Sequence, residues 1–489
     1  MPPPDCRSPE ARMRIVAGLL AALALSAPLA ARAQDGRAGV EAVAHALGAP
    51  ALKSVEYTAT GAQFAVGQSA APGTPWPRFT VRSLTRTLDY ENAALREEWL
   101  RARAEDPPRG GGLPVVGELR QVFVLSGEHA WNVSENAEIP APIALLERQL
   151  QLWASPHGVI RAALAASAVK QGRVIAFTLP NRIPVKAVID PQNLIERVEA
   201  VLPSPVLGDM PVEFAYADYK DYGGVKFPAR IRQTAGGFPA LDVTVTGVRP
   251  NVPVSVGVPD GVRQTPAPYA RVATQMVADG VWYVSGGTHH SVVIEMKDHL
   301  VVVESPLNDE RALAVLAEAR GLAPGKPVRY VVNSHHHFDH AGGLRAAAGE
   351  GATIVTHEIN RAYFERALAT PATVRPDHLA KSGRAAVVEG VRDRRVLSDG
   401  TRTIELHHIA GNAHDDGLLM AWLPKEKLLV EADVFTPLPP GAPPARPLNF
   451  SLNLVDNLKR LGMDADRILP LHGRIVPAAE LAKAVGHEH

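Results

Sequence analysis

Apolar positions follow two different rhythms along this chain. Through the first half they come in short alternating runs: Arg120–Leu125, His129–Val133, Arg173–Leu179, Val185–Ile189, Arg197–Leu202, Val212–Tyr219, Val225–Gln233 and Leu241–Val248. Alternation with a period of two sends one set of side chains to a core and the other to solvent, as in an antiparallel sheet. Turn-forming pairs separate the runs, among them Ser126-Gly127, Asp190-Pro191 and Gly223-Gly224. Ile143–Leu152 and Gly158–Ala166 read as helices instead. After a proline-rich stretch, Arg249–Pro268, the rhythm changes. Met276–Tyr283, Ser291–Met296, Leu300–Glu304, Val328–Val332 and Ala352–Thr356 are nearly continuous apolar runs. Helical patterns at Asn308–Arg320, Gly342–Ala348 and Glu358–Leu368 lie between or after them. Strands that alternate with helices read as an α/β region. Residues 369–400 keep no steady period and read either as a lid or as a surface excursion.

At 489 residues the chain exceeds one ordinary domain. The predicted organisation is an export leader at 1–33, a β-rich domain at 34–250, a linker at 251–267 and an α/β domain at 268–489. The leader rests on Arg7, Arg12 and Arg14, the apolar stretch Ile15–Ala30 and the small-residue site Ala31-Arg32-Ala33. It places the mature protein in the periplasm or outside the cell. Its apolar stretch is short for a spanning helix, and no other segment is long and apolar enough to cross a membrane. Cys6 is the only cysteine and falls inside the leader, so the mature chain would hold no disulfide. A formal net charge of zero gives no footprint for nucleic acid. The expected partner is a small-molecule substrate, and the sequence carries no signal for oligomeric state.

The chemistry is concentrated in Val331–Gly343, where four histidines and Asp339 crowd together just after an apolar run. In an extended segment alternate side chains share a side, so His335 and His337 can grip one cation while His336 points away. A turn then lets Asp339 and His340 face a second cation. Imidazole and carboxylate are ligands that zinc prefers. His414, Asp433 and His472 each stand where an apolar run gives way to a loop. His129 and His157 are isolated.

The spacing His-x-His-x-Asp-His, followed in order by His414, Asp433 and His472, resembles the signature of the metallo-β-lactamase-fold hydrolases. The resemblance covers roughly residues 268–489. It implies an αββα sandwich there. It also implies two Zn2+ per chain, one on His335, His337 and His414, the other on Asp339, His340 and His472, with Asp433 bridging. Iron or manganese fit the same ligand types. It further implies a hydroxide between the cations that attacks a carbonyl carbon, with Asp339 as the catalytic group that orients it. The family usually carries Asp where this chain has Glu304, so a shifted hydrogen bond is expected there. His357 is expected beside the ligands, and His289 and His290 open a hairpin expected to touch substrate. β-Lactamases of this fold place Cys or Ser where Asp433 stands. The expected reaction is therefore hydrolysis of an ester, lactone, thioester or amide. The alternatives are a β-lactamase proper, a di-iron oxidoreductase of the same fold, and a non-enzymatic envelope carrier. The last draws on Tyr216–Pro228, which resembles a hairpin of periplasmic lipoprotein-carrier half-barrels.

Overall fold

The computed structural model describes residues 34–112, 117–134, 137–264, 271–442 and 446–486. The leader read at 1–33, the last residues of the expected linker (265–267), and His487 and His489 lie outside them. The described residues form a large antiparallel β-region followed by an α/β sandwich.

In the first region the alternating runs assemble into a 13-stranded sheet. Its middle is made by the chain's first and last strands of the region, Ser54–Phe64 and Phe238–Pro250, which pair antiparallel. Strand Gly208–Asp221 shows the period of two: Met210, Val212, Phe214 and Tyr216 are buried, while Pro211 and Glu213 are not. The turn that joins it to Lys226–Ala235 holds Gly223 and Gly224 at φ 67° and 90°, a left-handed pair that suits the twist of a hairpin. Three helices bury their apolar stripes on the sheet: residues 34–47, Leu145–Trp153 and Pro156–Ala165. Val40, Leu47, Leu150 and Ile160 from the helices share one core with Val55, Leu84, Val198 and Phe227 from the strands.

Strands Ser54–Phe64, Arg78–Asp89 and Ala94–Arg103 fell outside the alternating runs recognised in the sequence. In the first of them the inward positions include Ala59 and Ala62, too small to mark a core face. Its pairing register also shifts between Ala59 and Gly61, and a bulge of that kind interrupts the period. The stretch read as a linker lies against this sheet. A short helix, Asp260–Gln264, buries Val262 beside Val124 and Trp131.

The second region has a 7-stranded and a 6-stranded sheet. Val292, Ile294, Val301, Val303, Val332 and Val355 of the first face Ile404, Leu406, Ala421, Val430 and Leu469 of the second. Strand Leu300–Val303 explains why such strands read as continuous apolar runs. Val301 and Val303 point between the sheets, while Leu300 and Val302 point to the outer helices. Those are Asp309–Leu322, Leu344–Gly349 and Glu358–Ala369. Asn449–Leu461 and Ala479–Ala484 cover the other sheet, completing the αββα order. The Asn308 side chain starts helix Asp309–Leu322 by accepting from Arg311 N at 3.0 Å.

Residues 369–400 are not a free lid. They supply helix His378–Ser382, strand Val387–Val391 at the edge of one sheet and strand Arg394–Ser398 at the edge of the other. The turn before that helix docks on the N-terminal region, where Asp209 accepts from Thr373 N, Thr373 Oγ1 and Val374 N at 2.6–3.2 Å.

Candidate metal centre

Each candidate ligand stands where a sandwich strand ends. His335 and His337 follow Val328–Val332, His414 follows Thr403–His408, Asp433 follows Leu428–Glu431 and His472 follows Arg467–Pro470. The polar loops of both sheets therefore meet on one rim. Two groups of convergent nitrogen and oxygen atoms result. The first is His335, His337, His414 and Asp433; the second is His289, Asp339, His340 and His472.

Asp433 belongs to both by distance. Its Oδ2 lies 3.4, 3.0 and 3.1 Å from Nε2 of His335, His340 and His414, and its Oδ1 lies 2.9 Å from His472 Nε2. The imidazoles also face one another, with Nε2 atoms 3.0 Å apart for His335 and His414 and 3.1 Å apart for His340 and His472.

The outer nitrogens of His335, His337, His340 and His472 are engaged, which fixes what their inner ones can do, while the outer Nδ1 of His414 is buried without a partner. His472 Nδ1 donates to Thr288 O at 2.8 Å, and His337 Nε2 donates to Ser69 O at 2.9 Å. His340 Nδ1 donates to Glu304 Oε2 at 3.1 Å. Ser334 Oγ donates to the same carboxylate oxygen and accepts from His335 Nδ1 at 2.9 Å. One fully buried carboxylate thus lies behind a histidine of each group. Each ring that gives its hydrogen outward turns a bare nitrogen inward, the form a cation needs. His337 Nδ1 is buried and has no partner. Bare nitrogens this close repel unless a positive charge lies between them. The donor set therefore fits borderline divalent cations.

Electrostatics agree. Burial, with His340 nearby, pushes His335 down to about 4, and burial with His335 and His414 holds His337 well below an ordinary imidazole. His340 goes the other way. Burial alone would lower it, but Asp433 and Asp339 hold it well above the usual value. Asp433 and Asp339 resist the upward push of burial and lie well below ordinary carboxylates, mainly through His340. Two carboxylates demand positive charge here, and the inner nitrogen of His340 lies where a cation would supply it. Glu304 and Asp433 also hold left-handed backbone, at φ 74° and 65°, a conformation uncommon outside glycine, more so for Glu than for Asp, that clusters at functional sites.

Other expected residues fall differently. His336 does point away from the group, but it is buried, with Nδ1 2.5 Å from Asp415 Oδ2 and Nε2 2.9 Å from Ser69 Oγ. His289, read as a substrate contact, places Nε2 3.1 Å from Asp339 Oδ2 and its ring 4.2 Å from that of His472. It stands among the second group's donors. His290 does not join it; Nε2 donates to Gly473 O at 3.0 Å and the ring packs on Tyr283. His357 caps helix Glu358–Ala369 and stacks on His408.

Three participants were not foreseen. Gln68 Nε2 donates to Asp339 Oδ1 at 2.8 Å, and Ser69 touches His336 and His337. Both come from the N-terminal region, and no ligand-like spacing marks them in the sequence. Asp415 adjoins His414 in Ala-His-Asp-Asp-Gly, and a buried carboxylate beside a ligand could have been suspected there.

The family model described as the metallo-beta-lactamase superfamily matches residues 284–472, which include every candidate ligand. Similar solved structures include a metallo-beta-lactamase from Pontibacter korlensis, at 17% identity and TM-score 0.35, over 44% of this chain and 98% of that one. Another is the metallo-beta-lactamase FIM-1 from Pseudomonas aeruginosa in its mono-zinc form, at 14% identity and TM-score 0.33, over 44% and 94%. No curated protein matches the chain.

Proposed function

We propose that the C-terminal region, a metallo-β-lactamase-superfamily domain, is a two-metal hydrolase that cleaves an ester, lactone or thioester of a small molecule, with zinc as its cation. Asp433 carries this reading. One carboxylate that reaches imidazoles of both groups within 3.4 Å is what a ligand shared by two cations requires. A bound pair of such cations supplies a water acidified toward neutrality and a Lewis acid for a carbonyl oxygen.

The chain's own residues then position and protect. Asp339 is anionic and held at both oxygens, by Gln68 and by His289. It accepts a hydrogen bond from the attacking water and fixes its direction. Its depressed pKa suits it to orientation rather than to bulk proton storage. No Ser, Cys or Thr nucleophile is needed. Substrate choice follows from charge. A shared carboxylate lowers the Lewis acidity of what it binds, which favours good electrophiles over amides. The proline-rich run after Asp433 lines a cavity of about 470 Å³ with Phe435, Pro437, Leu438 and Leu448, closed by Arg474, Glu480 and Lys483 and touching none of the candidate ligands.

The export leader read at 1–33 places this activity in the periplasm or outside the cell. Among the described residues no helix is long and apolar enough to cross a membrane. The test is elemental analysis of the purified protein joined to a panel of lactones, thioesters, penicillins and carbapenems. Two zinc ions per chain and higher kcat/KM on lactones or thioesters are expected. Metal near zero after zinc supplementation would sink the reading, and β-lactam turnover with no esterase or lactonase activity would move the chain to the lactamases.

A further inference from the structure

The N-terminal sheet reaches the metal centre through the loop of residues 65–77, between its first two strands, and through the turn at Arg109 and Gly110. The loop is laced to the rim by backbone hydrogen bonds. Phe338 N donates to Gly67 O at 3.2 Å, Asp416 N donates to Ala70 O at 2.7 Å, and a neighbouring turn adds Gly110 N to Ala413 O at 2.8 Å. These contacts fall beside His337 and His414 of the first group and beside Asp415, next to His414 in the same rim loop. Gly67 lies against the Phe338 ring so closely that a Cβ there would come within 2.3 Å of it, and its φ of 76° also excludes most side chains. Trp76 packs on the other side of this contact, edge-on to Phe338 with ring centres 6.5 Å apart.

What the loop presents is specific. The Ser69 carbonyl takes the Nε2 hydrogen of His337 and so leaves Nδ1, buried and unpartnered, as the only nitrogen that can serve the first group. The Gln68 amide takes Oδ1 of Asp339 and leaves Oδ2 toward the second. Hydrogen bonds behind a ligand fix its tautomer and its orientation.

We propose that residues 67–69 are positioning elements of the metal centre, so that the N-terminal region orients ligands supplied by the C-terminal one: Ser69 sets the ring of His337 and Gln68 sets the carboxylate of Asp339. This rests on the two-metal reading. Generic docking predicts something different. Asp209 also holds the two regions together, through Thr373 and Val374, but touches no candidate ligand.

The experiment is cobalt titration of the metal-stripped full-length chain, with Co2+ followed by its visible absorption, which reports the ligand geometry of each site. Wild type should take up two ions in resolvable steps. Gln68→Ala should weaken the second step by about 10- to 100-fold, the usual cost of removing a group behind a ligand, and leave the absorption of the first step unchanged. Gly67→Val, which pushes the loop off Phe338, should disturb both steps. Asp209→Ala should disturb neither. Should Gly67→Val fail to fold, Gln68→Ala still decides. Wild-type affinity and spectrum in Gln68→Ala would overturn the inference. So would an equal loss in Asp209→Ala, which would make the effect one of docking alone. A wild-type chain that takes up no cobalt would remove the two-metal reading itself, and this inference with it.

Discussion

The two groups of donors differ in depth. In the first, the side chains of His335, His337 and His414 are fully buried, walled on one side by the Ser69 loop. In the second, Asp339 is 34% exposed, His472 19% and His289 11%, and only His340 is sealed. The contrast teaches a division of labour. On the two-metal reading, a sealed set of three imidazoles would hold its cation firmly, while an open set that includes Asp339 would exchange water and admit substrate. The first group would then be the anchor and the second the working face.

The largest effect that would test this division is at the shared ligand. Asp433→Ala removes the oxygen atoms that both groups approach, so both cations should be lost or loosened. Activity should fall by at least about 10⁴-fold, past the upper range for one orienting group. Metal content measured beside kcat/KM checks it. A variant that keeps both ions would show that Asp433 does not bridge.

Asp339→Ala should strike the open group alone. Turnover should fall by on the order of 10²- to 10⁴-fold, with one ion per chain retained. Loss of both ions would erase the distinction between the groups. A graded chelator gives a finer reading. Metal should leave in two phases, the faster one carrying off most of the activity, because the open group meets solvent. A single phase would mean equal access.

The smallest effect should come from His336→Ala. The side chain ligates nothing, so activity should change by a few-fold, through the Ser69 contact. Stability should drop further than activity suggests, by about 1–3 kcal/mol, since Asp415 is left buried without its partner. Chemical denaturation of the metal-loaded protein measures it. A loss of activity equal to that of Asp339→Ala would place His336 among the ligands.

The anchor and the working face were legible in the sequence to different degrees. His335, His337, Asp339 and His340 lie within one turn of chain, and the apolar runs before His414, Asp433 and His472 announce strand ends. Local order was enough there. The sandwich strands were legible for the same reason, because burial on both faces writes an unbroken apolar run. The loop behind the anchor was not. Gly67, Gln68 and Ser69 meet Asp339 and its neighbours across more than 260 positions, and a contact of that span leaves no periodic trace. The place of His289 beside Asp339 was not legible either, because nothing in a hairpin's spacing tells which way its first ring turns. The small inward residues of Ser54–Phe64 hid a strand in plain alternation.

Glu304 gives the two groups a common ground. Its Oε2 receives His340 directly and His335 through Ser334. A cation on His335 makes that ring's N–H a stronger donor and so polarises the serine hydroxyl toward Glu304. The oxygen then has less basicity to offer His340, whose own nitrogen becomes a poorer ligand. Such coupling is reciprocal. With cations bound, filling one group would weaken the other through this oxygen, and metal uptake would then come in two separable steps.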